Sequence, residues 1–316
     1  MEQAQLGGVP AGAPRVFTRA ATGLVREAGL LDALIYNVNF ISIGLMVALM
    51  LLYMPSYGGV NVPLSLVVCA ALALPTAATY GMLAATMPRS GGDYVYVSRV
   101  LGPAFGMMSN WNTTVWWVLY GGVPSAFLAS FGIAPLMRIL AAMTGNTGLL
   151  SVADWAASPW GTFIIGALLI IVLTGIFILG LGVFFRVQNA LFALAMLAVV
   201  LVVVGALAQT PERLAAELNR HLATLTGLND TVGAIIETSG YSPQPFDLRT
   251  TLIAMTWIYL TMGFSFSSAY IGGEVKQASR IQVWAIPGTV VYALIWGLLL
   301  VWTVTHAAGD QLIGAI

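Results

Sequence analysis

Residues 164–181 read IIGALLIIVLTGIFILGL, and residues 191–207 read LFALAMLAVVLVVVGAL. Neither stretch holds a charge, and neither alternates apolar with polar residues. Each is close to the ~20 residues that an α-helix needs to cross the hydrocarbon core of a bilayer. Lipid offers no partner to a free backbone N–H or C=O, so such runs are helices that pair their own backbone. The other spanning architecture, a β-barrel, needs short strands of alternating polarity, and these runs lack that pattern.

The rest of the chain agrees. Of its 316 residues, 59% are hydrophobic and 8% charged, against about 25% charged in an ordinary soluble domain. A soluble fold would have too few charges to cover its surface. Hydropathy marks seven spans, at 33–53, 63–87, 105–132, 160–181, 187–208, 250–271 and 283–305. The fold class is all-α transmembrane, with the lipid bilayer as the first partner. The formal net charge is +0, so no basic patch exists to neutralise phosphates, and nucleic acid is not a partner. Cys69 is the only cysteine. It sits in an apolar run and reads as a small packing residue rather than a nucleophile. His221 and His306 stand far apart without Cys or His neighbours; a metal site needs clustered ligands, so no metal and no cofactor is expected.

Lys and Arg set the orientation. Placing the N-terminus in the cytoplasm puts Arg15, Arg19, Arg26, Arg89, Arg99, Arg186, Lys276 and Arg280 inside. Arg138, Arg213, Arg220 and Arg249 are then outside, and the last three belong to the long 209–249 connection, where the positive-inside rule has less force. Residues 1–29 are polar and rich in Gly, Pro and Ala, without a secretory signal pattern, and form the expected cytoplasmic tail. The expected extracellular loop is 209–249. Within it, residues 211–225 carry Glu212, Arg213, Glu217 and Arg220 among Leu and Ala, which suits a short amphipathic helix on the outer face. Residues 239–247, with Pro243 and Pro245, are turn chemistry.

Three stretches carry the functional reading. The first is MPRSGGDYVYVSRVLGPAFGMMSNW at 87–111. Gly91 and Gly92 let the backbone turn tightly at the membrane face. Tyr94, Tyr96 and Arg99 suit a helix lying along the water–lipid boundary. The second is GFSFSSAYIGGEVKQASRIQVWAIPGTVVY at 263–292, where Gly263 is followed by Glu274, Lys276, Arg280 and Pro287. The third is the first span, in which Asn37 and Asn39 precede FISIG at 40–44. Polar groups and glycine inside a span mark a break in the helix. Breaks of this kind in transporters expose backbone N–H and C=O groups near the bilayer midplane.

The first two stretches resemble the amino acid–polyamine–organocation permeases. That family joins its second and third spans by Pro-x-x-Gly-Gly-x-Tyr, an amphipathic stretch and a Leu-Gly pair. After its sixth-span break come Glu-x-Lys, a basic residue and a Pro opening span seven. The resemblance covers about residue 30 to residue 316 and implies a LeuT-type fold. Residues 30–208 are then a first repeat of spans one to five, and 250–316 the start of a second. The chain is expected to be the N-terminal part of a twelve-span protein.

The resemblance also implies a substrate site at the breaks in spans one and six. Ser42, Ile43 and Gly44 are assigned to the substrate carboxylate, through backbone groups and the Ser42 hydroxyl. Ser42-Ile43-Gly44 matches the family's first-span cluster in part. Thr261, Met262, Gly263, Phe264 and Ser265 are assigned to the span-six break, with carbonyls toward an amino group and Phe264 over the side chain. The substrate is an amino acid or related amine, carried across the plasma membrane by alternating access. Sodium coupling, proton coupling and uncoupled exchange are all compatible with these spans. Span five has no lysine, and no span carries a central Asp, Glu or His. Trp111, Trp116, Trp117 and Tyr120 in span three read as packing and interface anchors before substrate contacts. The alternatives are a seven-span receptor or scaffold, and a membrane enzyme; Glu27, Asp32, Asp93 and Glu274 show no paired catalytic spacing.

Overall fold

In the computed structural model, residues 26–53 and 56–315 are described. The expected tail at 1–29, with Arg15 and Arg19, lies outside those residues except for 26–29. Seven helical segments are long and apolar enough to cross a membrane: Leu30–Tyr53, Val62–Thr86, Pro103–Thr144, Pro159–Ile178, Leu181–Leu207, Leu248–Tyr270 and Ala278–Ala315. They fall where hydropathy places spans one to seven.

Span one is two helices, α1 (Leu30–Ile41) and α2 (Ile43–Tyr53). Span two is α3 (Val62–Thr86), followed by the short α4 (Asp93–Val100). Span three chains α5 (Pro103–Tyr120), α6 (Gly122–Phe127), a π-helical turn at Leu128–Ile133 and α7 (Ala134–Thr144). It runs twelve residues past its expected end at 132. Pro135 lies in the first turn of α7, just past the π-helical turn, and does not end the span. After α8 (Gly148–Ala157) come span four, α9 (Pro159–Ile178), and span five, α10 (Leu181–Leu207). The 209–249 connection holds α11 (Pro211–Thr226), close to the amphipathic helix expected there, and α12 (Thr231–Ser239). Span six is α13 (Leu248–Met262) plus a 3-10 turn at Ser267–Tyr270. Span seven is α14 (Ala278–Ala315), two helices run together across a kink at Gly309. Pro287 does not open that span; it lies inside α14.

The centre of the molecule is α3 against α14. Ala70, Ala73, Ala77, Gly81 and Ala84 recur at helical spacing along α3 and are buried. A Cβ on Gly81 would sit 3.2 Å from the Gln282 carbonyl oxygen, so the two backbones nearly touch. Between helices in lipid, small residues allow this close packing, which dispersion then rewards. On α14, Gly297 meets Leu66 and Met46 in the same way. By contrast α9 and α10 leave most of their apolar side chains uncovered, as helices facing lipid do.

Short backbone contacts tie the ends. At one end the chain before α1 lies along the stretch after span six: the Glu27 and Ala28 N–H groups donate to the Glu274 carbonyl at 3.0 and 3.1 Å, and Lys276 N–H donates to Ala28 at 2.8 Å. The loop before α4 joins there, with Gly91 N–H donating to the Tyr270 carbonyl at 3.0 Å. At the other end Asp247 N–H reaches the Gly59 carbonyl at 2.8 Å, and Asn61 N–H reaches Thr251 Oγ1 at 3.0 Å.

Candidate functional site

Span one is interrupted at a single residue. Ser42 has φ 51° and ψ 77°, in the left-handed region. Its N–H donates to the Val38 carbonyl at 2.9 Å and closes α1; its own carbonyl accepts from Met46 N–H at 2.8 Å and begins α2. A left-handed L-residue costs about 1–2 kcal/mol. Buried Ile41 and Ile43 on either side pin the chain in place. The break exposes what a continuous helix would hide: the first-turn N–H groups of α2 and the last-turn carbonyls of α1. The N-terminus of α2 is thus a partial positive charge inside an apolar span.

The break opens onto space. A cavity of about 720 Å³ is lined by Tyr36, Asn39, Phe40, Ser42 and Gly44 of span one, Tyr120 and Phe131 of span three, and Gln188 and Ala195 of span five. A second cavity of about 520 Å³ shares Asn39, Ser42 and Gly44 and adds Ile43. A Cβ on Gly44 would meet nothing within 4 Å, so its wall is open. Within the first cavity the polar groups are few. Gln188 is one of them, buried, with its Nε2 lacking a partner.

Span six also breaks. α13 ends at Met262, and Gly263 has φ −60° and ψ −17°, an ordinary right-handed conformation. Beyond it the chain switches to tight turns. Phe264 and Ser265 N–H donate three residues back, to the Thr261 and Met262 carbonyls at 3.1 and 3.2 Å, and Ser267 N–H donates to the Phe264 carbonyl at 3.2 Å. The coil tightens for the last part of the span instead of unwinding at a left-handed glycine.

The sixth-span residues reach the cavity through aromatic rings. Phe264 packs on Trp116, Trp117 and Tyr120 with ring centroids 5.4, 5.7 and 5.5 Å apart. Trp117 meets Phe40 of span one at 5.7 Å. Trp116, Trp117 and Tyr120 therefore pack, whereas Trp111 is exposed, and Tyr120 also lines the larger cavity.

A buried polar cluster holds the two breaks in register. Asn37 Nδ2 donates to Ser268 Oγ at 3.1 Å, and Ser268 N–H donates to Asn37 Oδ1 at 2.6 Å. Ser268 Oγ in turn donates to Gln282 Oε1 at 2.7 Å, and Gln282 Nε2 donates to the Ser268 carbonyl at 2.9 Å. All three residues are fully buried. Nearby, the hydroxyls of Tyr80 and Tyr270 both donate to the Asp93 carboxylate. This clamps α4 to spans two and six.

Of the residues assigned from sequence, Ser42 and Gly44 line both cavities and Ile43 lines the smaller one. Thr261, Met262 and Ser265 are buried, and neither cavity has Thr261, Met262, Gly263, Phe264 or Ser265 on its wall. Phe264 stands one ring behind that wall. Sequence reasoning passed over Tyr36 and Gln188. The signal for Gln188 was an amide, beside Asn189, at the head of a long apolar run.

A family model described as amino acid permease matches residues 37–314. No curated protein and no solved structure gives a match.

Proposed function

Because the chain belongs to the amino acid permease family, we propose that it carries amino acids, or amines related to them, across the plasma membrane as a secondary transporter. The observation that carries this reading is the left-handed break at Ser42, which turns the N-terminus of α2 toward a cavity of about 720 Å³. A helix N-terminus inside lipid is a ready anion site, because its N–H groups have no other partner. The carboxylate of an amino acid fits there, against Ile43 and Gly44 N–H and the Ser42 hydroxyl. The ammonium needs acceptors: the carbonyls freed at the end of α1 supply them, and those of the 261–265 turns, which now accept from the turns' own N–H groups, join them when span six moves. Phe264, one ring behind the cavity wall, backs Tyr120 over the side chain.

Alternating access follows from two interrupted spans held together by Asn37 and Ser268, with the remaining helices rocking about them. Arg26, Arg89, Arg186, Lys276 and Arg280 favour a cytoplasmic N-terminus, which makes the end bearing Ala28, Ser90 and Glu274 the cytoplasmic one. Coupling to Na⁺, coupling to H⁺ and uncoupled exchange are all compatible with this reading. A transporter accounts for the two breaks better than an enzyme or a receptor does, since neither needs exposed backbone in mid-membrane.

The test uses the full-length protein in liposomes with labelled amino acids. A Cβ on Gly263 would sit 2.9 Å from the Tyr259 carbonyl oxygen. Gly263→Leu is expected to abolish uptake while the protein still inserts. Unchanged uptake removes Gly263 from the working site.

A further inference from the structure

Glu274 lies between the 3-10 turn and α14 and is 8% exposed. Its backbone carbonyl is already taken by the N–H groups of Glu27 and Ala28. Its side chain is not satisfied: Oε2 is buried and finds no hydrogen-bond partner.

What packs on it is apolar, while its acidic neighbour Glu27 is exposed and lies against Gly182 at the start of α10. Ala28, Phe185, Val275 and Ala278 form a small buried cluster on the same seam, where the chain before α1, the start of α10 and the start of α14 meet. Ser90, across the seam, is near enough to pull the carboxyl partly down, yet Ser90 Oγ is itself buried and unpaired. Tyr36 on α1 is the titratable group that feels the Glu274 charge. No cation answers it. Arg26, Arg89, Arg186, Lys276 and Arg280 on the surrounding elements are all exposed. Among the described residues, none comes within ion-pair distance of Glu274. Burial therefore dominates and pushes the carboxyl above its usual range. A buried carboxylate without a partner takes up a proton rather than hold its charge.

We propose that Glu274 is a proton-binding site on the seam joining residues 26–28, 90–92 and 271–276, protonated while the seam is shut and ionised when it opens. Opening brings water to the carboxyl and restores its ordinary affinity for the proton, which leaves on the side where the seam has parted. The shut seam binds the proton more tightly, so low pH favours it. That advantage is complete below the ordinary carboxylate pKa of about 4.3 and is lost as pH rises through the raised value. Tyr36 also lines the larger cavity, which puts the proton site one side chain from the proposed substrate. The site's use in coupling rests on the transport reading; its existence does not.

The experiment reads the seam directly. In full-length protein with its native cysteines replaced, Cys69→Ala among them, Ala28→Cys supplies a single thiol at a fully buried seam position. Maleimide labelling rates are measured from pH 5 to 8, and each is divided by the rate in the same protein with Glu274→Gln, which cancels the titration of the thiol. The ratio is expected to rise with pH, about tenfold for each pH unit separating the shut and open pKa values. A flat ratio overturns the proposal. Should Glu274→Gln fail to insert, Ser90→Ala serves instead. It removes the group that holds the carboxyl down, so the labelling midpoint moves to higher pH; an unmoved midpoint overturns the proposal equally. Labelling needs no substrate. Absent uptake with pH-dependent labelling therefore counts against transport and leaves the proton site standing.

Discussion

Asn37 grips Ser268 with both ends of its amide, accepting from the backbone N–H at 2.6 Å and donating to the hydroxyl at 3.1 Å. The two residues are 231 positions apart in the chain and fully buried. This grip joins span one, just before its break, to span six, just after its own.

Removing the amide leaves the buried Ser268 N–H without its acceptor, while the Ser268 hydroxyl keeps its bond to Gln282. Asn37→Ala is expected to lower the unfolding free energy by about 2–4 kcal/mol. Ser268→Ala keeps the backbone bond and should cost about 1–2 kcal/mol. Thermal unfolding of the detergent-solubilised protein compares them, and equal losses would show that the backbone bond contributes nothing.

Ser42 pays a conformational penalty that glycine avoids. Ser42→Gly should stabilise the protein by up to about 1 kcal/mol, because the left-handed backbone then carries no Cβ. Ser42→Val should destabilise it, since a β-branched residue resists positive φ. If backbone N–H groups hold the substrate carboxylate, Ser42→Gly also keeps measurable uptake after losing its hydroxyl. Loss of uptake equal to that of Ser42→Val would place the burden on the hydroxyl instead.

Asp93 accepts from Tyr80 and Tyr270 at once. Each bond to a charged acceptor is worth about 1.5–3 kcal/mol. Tyr80→Phe and Tyr270→Phe should each lower stability, and the double variant should depart from their sum because both act on one carboxylate. Strict additivity in the mutant cycle would mean that the two hydroxyls do not share it.

Gly92 sits at φ 48° and ψ −121°, a conformation that glycine alone adopts readily. A Cβ there would come within 2.6 Å of the Tyr270 ring. Gly92→Ala is expected to cost more than the ~1–3 kcal/mol of backbone strain alone. Gly145→Ala, at φ 67° with open space around it, isolates the strain and should cost less. Unfolding midpoints of the two variants decide the order.

The spans and both breaks were legible in the sequence because each leaves a local signature. Hydrophobic runs must be helices in lipid, and polar residues with glycine interrupt them between Asn37 and Gly44 and between Thr261 and Ser268. The π-helical turn at Leu128–Ile133 left no such mark: it is a change in hydrogen-bond spacing within an apolar stretch. Glu274 appeared as one member of a loop motif, and only the packing of Ala28, Phe185 and Val275 around it shows that it is buried. Gln188 and Tyr36 reach the cavity by virtue of which faces of α10 and α1 turn toward each other, which single-span periodicity does not record.

The central claim is that backbone released at Ser42 holds a carboxylate. Competition for uptake in liposomes, between an amino acid that the full-length protein carries and its α-methyl ester, tests it most directly. The ester keeps the ammonium and side chain but loses the charge. It should compete about 10–100-fold more weakly, the worth of hydrogen bonds to a charged acceptor. An ester that competes as well as the free acid would contradict the assignment.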